Sequence, residues 1–198
     1  MPKETFMRLP VERKEEIQQI LLDIFFIHPI SQIRVSEIVN AMGMSRGAFY
    51  KYFENIEDAY SYLVAKYADD IHIDILKEIK KEGNNILKGT ENYLINCGNM
   101  EFDCNYWKIL NLLFRENKCY AFRLPNINID GILIKRWLDL LHQNKINITD
   151  EHEAISFLYF MAEIVIDILR DFSINKWDVQ TMLREYHFKM KWIYQGLE

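Results

Sequence analysis

Residues 34–53, RVSEIVNAMGMSRGAFYKYF, constrain the fold more than any other stretch of this chain. Val35, Ile38, Val39 and Met42 recur at intervals of three and four, the period of a short helix with one apolar face. Gly43 breaks that run. Ser45 then offers an N-cap to a second short helix, whose Ala48, Phe49, Tyr52 and Phe53 supply its packing face. Two short helices joined by a tight glycine-containing turn make either a hairpin inside an all-α domain or a helix-turn-helix, whose second helix enters the major groove of DNA. Spacing alone leaves both open.

The remainder of the chain is helical in pattern, with no internal repeat and no low-complexity tract. MPKETFMRLP reads as a short, slightly basic arm, and Pro10 suits the first turn of a helix. Ile17, Ile20, Leu21, Ile24 and Phe25 form the apolar stripe of a helix from Val11 to about Phe26, which Pro29 ends. Asn55, with Asp58 three residues later, opens a long helix to about Lys81 as a capping box, and Gly83-Asn84-Asn85 closes it. Helices follow over 86–97, 106–117 and 131–143. The Pro- and Asn-containing segment from Cys119 to Asp130 reads as a loop and cavity rim. Asp150 caps a helix over about 150–172, and the last helix runs over about 176–195. These two carry more apolar surface than one small core needs, which pairing with a second copy would bury.

Composition excludes several classes. No apolar run approaches the 18 residues of a membrane span and no leader pattern opens the chain, so a cytoplasmic protein without a membrane partner is expected. Three cysteines, Cys97, Cys104 and Cys119, make neither a disulfide framework nor the close pairs of a zinc site. No nucleophile elbow, P-loop, dinucleotide fingerprint or zinc-protease motif is present, so neither an enzyme nor a resident cofactor is expected. The net charge of −5 argues against a nonspecific nucleic-acid binder, and residues 1–66 hold eight Lys/Arg against nine Asp/Glu. Specific DNA binding then requires the cations to gather on one face.

GMSRGAFYKYF resembles the recognition-helix segment of the TetR family of bacterial transcription regulators. The family pattern is filled by Gly43, Met44, Ser45, Gly47, Ala48, Phe49, Tyr50, Tyr52 and Phe53, and the resemblance extends from about Val11 to Ala65. It implies a three-helix DNA-binding domain over 1–54, followed by a larger ligand-binding and dimerisation domain over 55–198. It also implies a homodimer built on a four-helix bundle of the last two helices, and release from a palindromic operator by a small effector. Arg34, Ser45, Arg46, Gly47, Ala48, Tyr50, Lys51 and Tyr52 are the expected DNA-facing residues, with Arg46 able to pair in bidentate fashion with guanine. Two departures stand out. Ile33 and Arg34 replace the usual hydroxyl cap before the first short helix, and Ile56 replaces a lysine that meets a phosphate in the family.

For the effector, Trp107, Phe114, Trp137, Phe157 and Phe160 offer apolar walls, and Tyr93, Tyr106, Glu163 and Asp167 offer polar points. Glu163, set within MAEIVI, either faces a ligand or is an exposed or interface charge. A hydrophobic or aromatic molecule suits such a set. A second reading of the same fold makes the protein a haem sensor through His72 and His152, which lie on elements that face one cavity in the family. A third makes it a dimeric all-α adaptor whose helix-turn-helix packs on a protein rather than on DNA.

Overall fold

The computed structural model describes residues 2–115 and 131–197, and every regular element in them is helical. The loop expected over 119–130 lies outside the described residues. Contacts divide the chain into two compact units, residues up to 69 with 102–115, and residues 70–101 with those from 116 onward.

The first unit contains α1 (Glu4–Met7), α2 (Val11–Ile27), α3 (Val35–Ala41), α4 (Arg46–Tyr52), the first half of α5 (Ile56–Lys81) and α7 (Asn105–Arg115). Its core is the apolar stripe of α2, with Ile17, Leu21 and Phe25, closed over by Ile38, Phe49, Phe53 and Leu63. Residues 4–7, read from the sequence as part of a loose arm, instead form a short helix whose Phe6 is fully buried. Pro29 acts as expected: α2 stops at Ile27, His28 is extended, and a 3₁₀ turn follows over Ile30–Gln32. Helix α7 packs on α2. Lys108 Nζ meets Asp23 Oδ1 at 2.7 Å, Asn105 Nδ2 donates to Gln19 Oε1 at 3.0 Å, and Arg115 Nη1 donates to the Phe25 carbonyl at 3.2 Å.

The second unit contains the rest of α5, α6 (Ile86–Gly98), α8 (Gly131–Gln143), α9 (Glu151–Asn175) and α10 (Val179–Leu197). The α5–α6 turn uses Gly83 and Asn84 at φ of 63° and 67°, and the Asn84 N–H returns to the Ile79 carbonyl at 3.0 Å. Asn144 locks that turn to the end of α8, accepting from the Ile86 N–H at 2.9 Å and donating to the Asn84 carbonyl at 2.8 Å. At the base of the unit the Tyr186 hydroxyl donates to the Leu87 carbonyl at 2.9 Å, and burial pushes its pKa well above the ordinary phenol value.

Helix α9 runs three residues beyond the expected 172. It ends only where Lys176 takes a left-handed conformation at φ 54° and the Trp177 N–H reaches back to the Phe172 carbonyl. The last helix begins later than expected for the same reason. Lys176 belongs to the turn, and Asp178 is the N-cap, accepting from the Thr181 N–H at 2.7 Å.

Candidate functional site

Helices α3 and α4 are each seven residues long, too short to hold together alone. Three local devices shape the turn between them. Gly43 sits at φ 62°, where an L side chain is strained. The Met44 N–H bonds the Val39 carbonyl at 2.9 Å, and Arg13 of α2 donates through Nη2 to the Met42 carbonyl at 3.2 Å. Ser45 then caps α4 through its hydroxyl, which accepts from the Ala48 N–H at 3.2 Å. Asn55 accepts from the Asp58 N–H at 2.7 Å, while the Asp58 carboxylate accepts from Glu54 N–H, one residue before the position of a regular capping box.

With Phe49 and Phe53 buried, the opposite side of α4 is fixed. Arg46, Gly47, Tyr50 and Lys51 are exposed on one face, Ser45 is exposed at its start, and Ala48 and Tyr52 flank it half-buried. Arg34 is exposed immediately before α3 and makes no side-chain cap there. Among the described residues Arg34, Arg46 and Lys51 enter no ion pair, whereas Arg8 and Arg13 are matched by Glu4 and Glu16. A near-neutral unit therefore keeps free cations on the α4 face.

The C-terminal end of α4 is held by residues that periodicity does not single out. The Lys3 N–H donates to the Tyr52 carbonyl and Lys3 Nζ to the Tyr50 carbonyl, both at 2.8 Å. Phe6 packs its ring 4.9 Å from Phe53, 5.1 Å from Tyr62 and 5.8 Å from Tyr52. Gln18 Nε2 donates to the Tyr62 hydroxyl at 2.6 Å. A lone aromatic in a polar run gives no pattern from which this docking could be read.

The second unit holds a small cavity with His72 and Ile79 of α5, Thr90 of α6, Trp137 of α8, and Met161 and Val165 of α9 in its wall. It offers about 30 Å³ to the centre of a water-sized sphere, room for about two waters. Trp137 is anchored there by Nε1 donating to the Ala154 carbonyl at 2.8 Å and by stacking on Phe157. Of the eight residues read from the sequence as ligand-binding, Trp137 alone is in this wall. Tyr106, Trp107 and Phe114 lie on α7 in the first unit, where Trp107 is fully buried against Phe102 and Phe114. Tyr93 is buried on α6 one turn beyond Thr90, Phe160 is 44% exposed, and Glu163 is half-buried.

Asp167 is committed elsewhere, to Lys189 Nζ of α10 at 2.6 Å and to Arg170 at 2.5 Å. Burial pushes its carboxyl up, but the hydrogen bonds and charges of Lys189 and Arg170 outweigh that and hold it below the ordinary carboxylate value. A lowered pKa contributes stability that is fully present above the unfolded value and is lost as pH falls through the folded one. The pair is partly exposed, so Asp167→Asn is expected to cost no more than about 1 kcal/mol at pH 7. That difference from the parent should vanish once the pH is taken below the ordinary aspartate range, as read by urea unfolding at both pH values.

The haem reading does not fit these residues. His72 is in the cavity wall, edge-on to Tyr159 at 6.3 Å, but His152 is exposed in the first turn of α9. At about 100° per residue His152 and Met161 point in opposite directions from α9. Nor does the cavity have space for a macrocycle. Among the described residues no three His, Cys, Asp or Glu side chains gather to hold a metal ion, and no helix is long and apolar enough to cross a membrane.

A family model described as "Tetracyclin repressor-like, C-terminal domain" matches residues 106–197, a little under half of the chain. Among solved structures, the chain is similar to a TetR family transcriptional regulator from Chloroflexus aurantiacus J-10-FL, at 17% identity and a TM-score of 0.46, over 96% of this chain and 89% of that one. What the sequence similarity covers is thus the region of α7 to α10: it is similar to the C-terminal domain of tetracycline-repressor-like proteins.

Proposed function

We propose that this protein is a dimeric, ligand-responsive DNA-binding transcription regulator of the TetR type, acting as a repressor. The observation that carries the reading is the exposed face of α4, where unpaired Arg46 and Lys51 flank Gly47 and Tyr50 while the opposite face is anchored in the core. In this reading α3 and α4 are the helix-turn-helix. Arg46 reads a base edge or binds a phosphate, Lys51 and Arg34 bind phosphates, Gly47 lets the backbone approach, and Ser45, Ala48, Tyr50 and Tyr52 complete the contact surface. Ile56 is half-buried and supplies no phosphate contact. Two copies joined through α9 and α10 would place two such faces on a palindromic operator. The effector would be apolar or aromatic and would enter at the cavity walled by Trp137. A drug-sized molecule needs roughly 300 Å³ or more, so it would select a state in which those walls are spread, and that state would be the one with lower operator affinity.

The test is binding of the full chain to the DNA upstream of its own coding sequence, measured by fluorescence anisotropy across a salt series. Arg46→Ala and Lys51→Ala are each expected to weaken binding by about 10- to 100-fold. Loss of a phosphate contact should also flatten the slope of log K against log salt by about 0.9. A stable dimer that binds no duplex at low salt would sink this reading in favour of a protein-binding adaptor.

A further inference from the structure

We infer that Lys3 and Phe6 are positioning residues for the DNA-binding face: α1 braces the C-terminal end of α4 and sets the direction in which Arg46, Tyr50 and Lys51 point. The inference rests on the reading of α4 as the DNA-contacting helix.

A seven-residue helix leaves as many carbonyls without partners at its end as it makes internal bonds. Of the last four in α4, Phe49 O receives the Phe53 N–H at 2.9 Å. Tyr50 O and Tyr52 O both receive Lys3, one from the ammonium and one from the backbone N–H, each at 2.8 Å. The Lys3 ammonium also places a positive charge at the negative end of the helix dipole. Ser45 holds the other end, so α4 is fixed at both termini by residues outside its own hydrogen-bond ladder.

Phe6 makes this more than a cap. Its fully buried ring sits between Tyr52 and Phe53 at the end of α4 and Tyr62 of α5. Tyr62 is in turn tied to α2 through Gln18. The path from α2 to the end of α4 therefore runs through one aromatic side chain of α1. Lys3 spends its charge on backbone carbonyls, so its effect on DNA affinity is to arrange the face and not to neutralise a phosphate. These two roles separate experimentally, because only a phosphate contact changes the salt slope.

The full chain is used to select duplexes from a random-sequence pool, and the tightest duplex serves as the probe for Lys3→Ala, Lys3→Arg and Phe6→Ala. Backbone amide exchange over residues 49–53 is measured in parallel by NMR. Lys3→Ala is expected to weaken binding about 10-fold with an unchanged salt slope, and to speed exchange at residues 50–53 while α2 keeps its protection. Lys3→Arg, which keeps the cation, should restore both. Phe6→Ala should show the same signature in stronger form. Should Phe6→Ala fail to fold, the Lys3 pair decides alone.

Unchanged affinity in Lys3→Ala would overturn the inference. A flattened salt slope with unchanged exchange would also overturn it, by making Lys3 a phosphate ligand. If the parent chain selects no duplex, the DNA-binding reading itself falls and takes the positioning role with it. The exchange data would then show whether the brace on α4 exists as a purely structural contact.

Discussion

Replacing Gly89 by alanine is expected to destabilise the second unit by about 3 kcal/mol or more, the upper part of the range for overpacked cores. The usual expectation for glycine inside a helix is the reverse, a gain of roughly 0.5–1 kcal/mol from alanine. Here the helix-propensity gain is outweighed by contact. A Cβ on Gly89 would stand 2.2 Å from Cα and 2.5 Å from N of Ile79, both backbone atoms of α5. Carbon atoms rest at about 3.5–4.0 Å, so α5 and α6 would have to separate by more than about 1 Å, and no rotamer change relieves that. Asn144 ties the turn between these helices to α8, which leaves little freedom for the separation. Gly98→Ala is the control. Its Cβ would meet the side-chain ends Val179 Cγ2 at 3.0 Å and Met182 Cε at 3.1 Å, which can move, so less than about 1 kcal/mol is expected. Urea unfolding followed by circular dichroism separates the two. A Gly89→Ala variant as stable as the parent would show that α5 and α6 do not meet at this point.

Local chemistry made the helix termini legible, and non-local packing accounts for what was not. Ser45, Asn55 and Asp150 are short polar side chains just before apolar periodic runs, and each accepts the backbone N–H three residues on. Pro29 and Gly83 stop their helices for reasons the residues carry themselves. Asp178 has the same chemistry as Asp150, but the apolar Ile174 and Trp177 around it extend the helical pattern and hide the turn at Lys176. The docking of Phe6 and Lys3 depends on which surface lies nearby, something period and propensity do not encode. The same limit applies to the cavity. Periodicity marks Trp107, Trp137 and Phe157 alike as inward-facing, and all three are buried. Which core each enters is settled by tertiary contacts, and α7 belongs with α2. Charge was legible only in part. Counting shows a neutral N-terminal region, while the pairing of Arg8 and Arg13, against the free Arg46 and Lys51, required the fold.

Glutamate at Phe188 or Trp192 is expected to convert the dimer into a monomer and to lower affinity for a palindromic duplex at least 100-fold. The two side chains lie four residues apart on α10, one turn along the same face, and are 45% and 66% exposed. Phe160 and Ile174 of α9 are also exposed, so α9 and α10 present apolar side chains that the second unit's own core does not use. A buried tryptophan covers about 150–250 Å². The uncovered part of Trp192 then represents roughly 2–4 kcal/mol at about 25 cal/mol per Å², and a twofold contact counts it in both chains. Since these side chains are already exposed in one copy, replacing them should cost the isolated chain little. Unfolding midpoints extrapolated to low protein concentration should therefore stay near the parent value, while sedimentation at micromolar concentration shifts to monomer mass. Loss of operator affinity would follow from losing the second half-site, with Arg46 and Lys51 untouched, so binding to a single half-site should be unchanged. A variant that remains dimeric would place the twofold contact on another surface. A monomer that still binds the palindrome as tightly as the parent would mean that one α4 face recognises it alone.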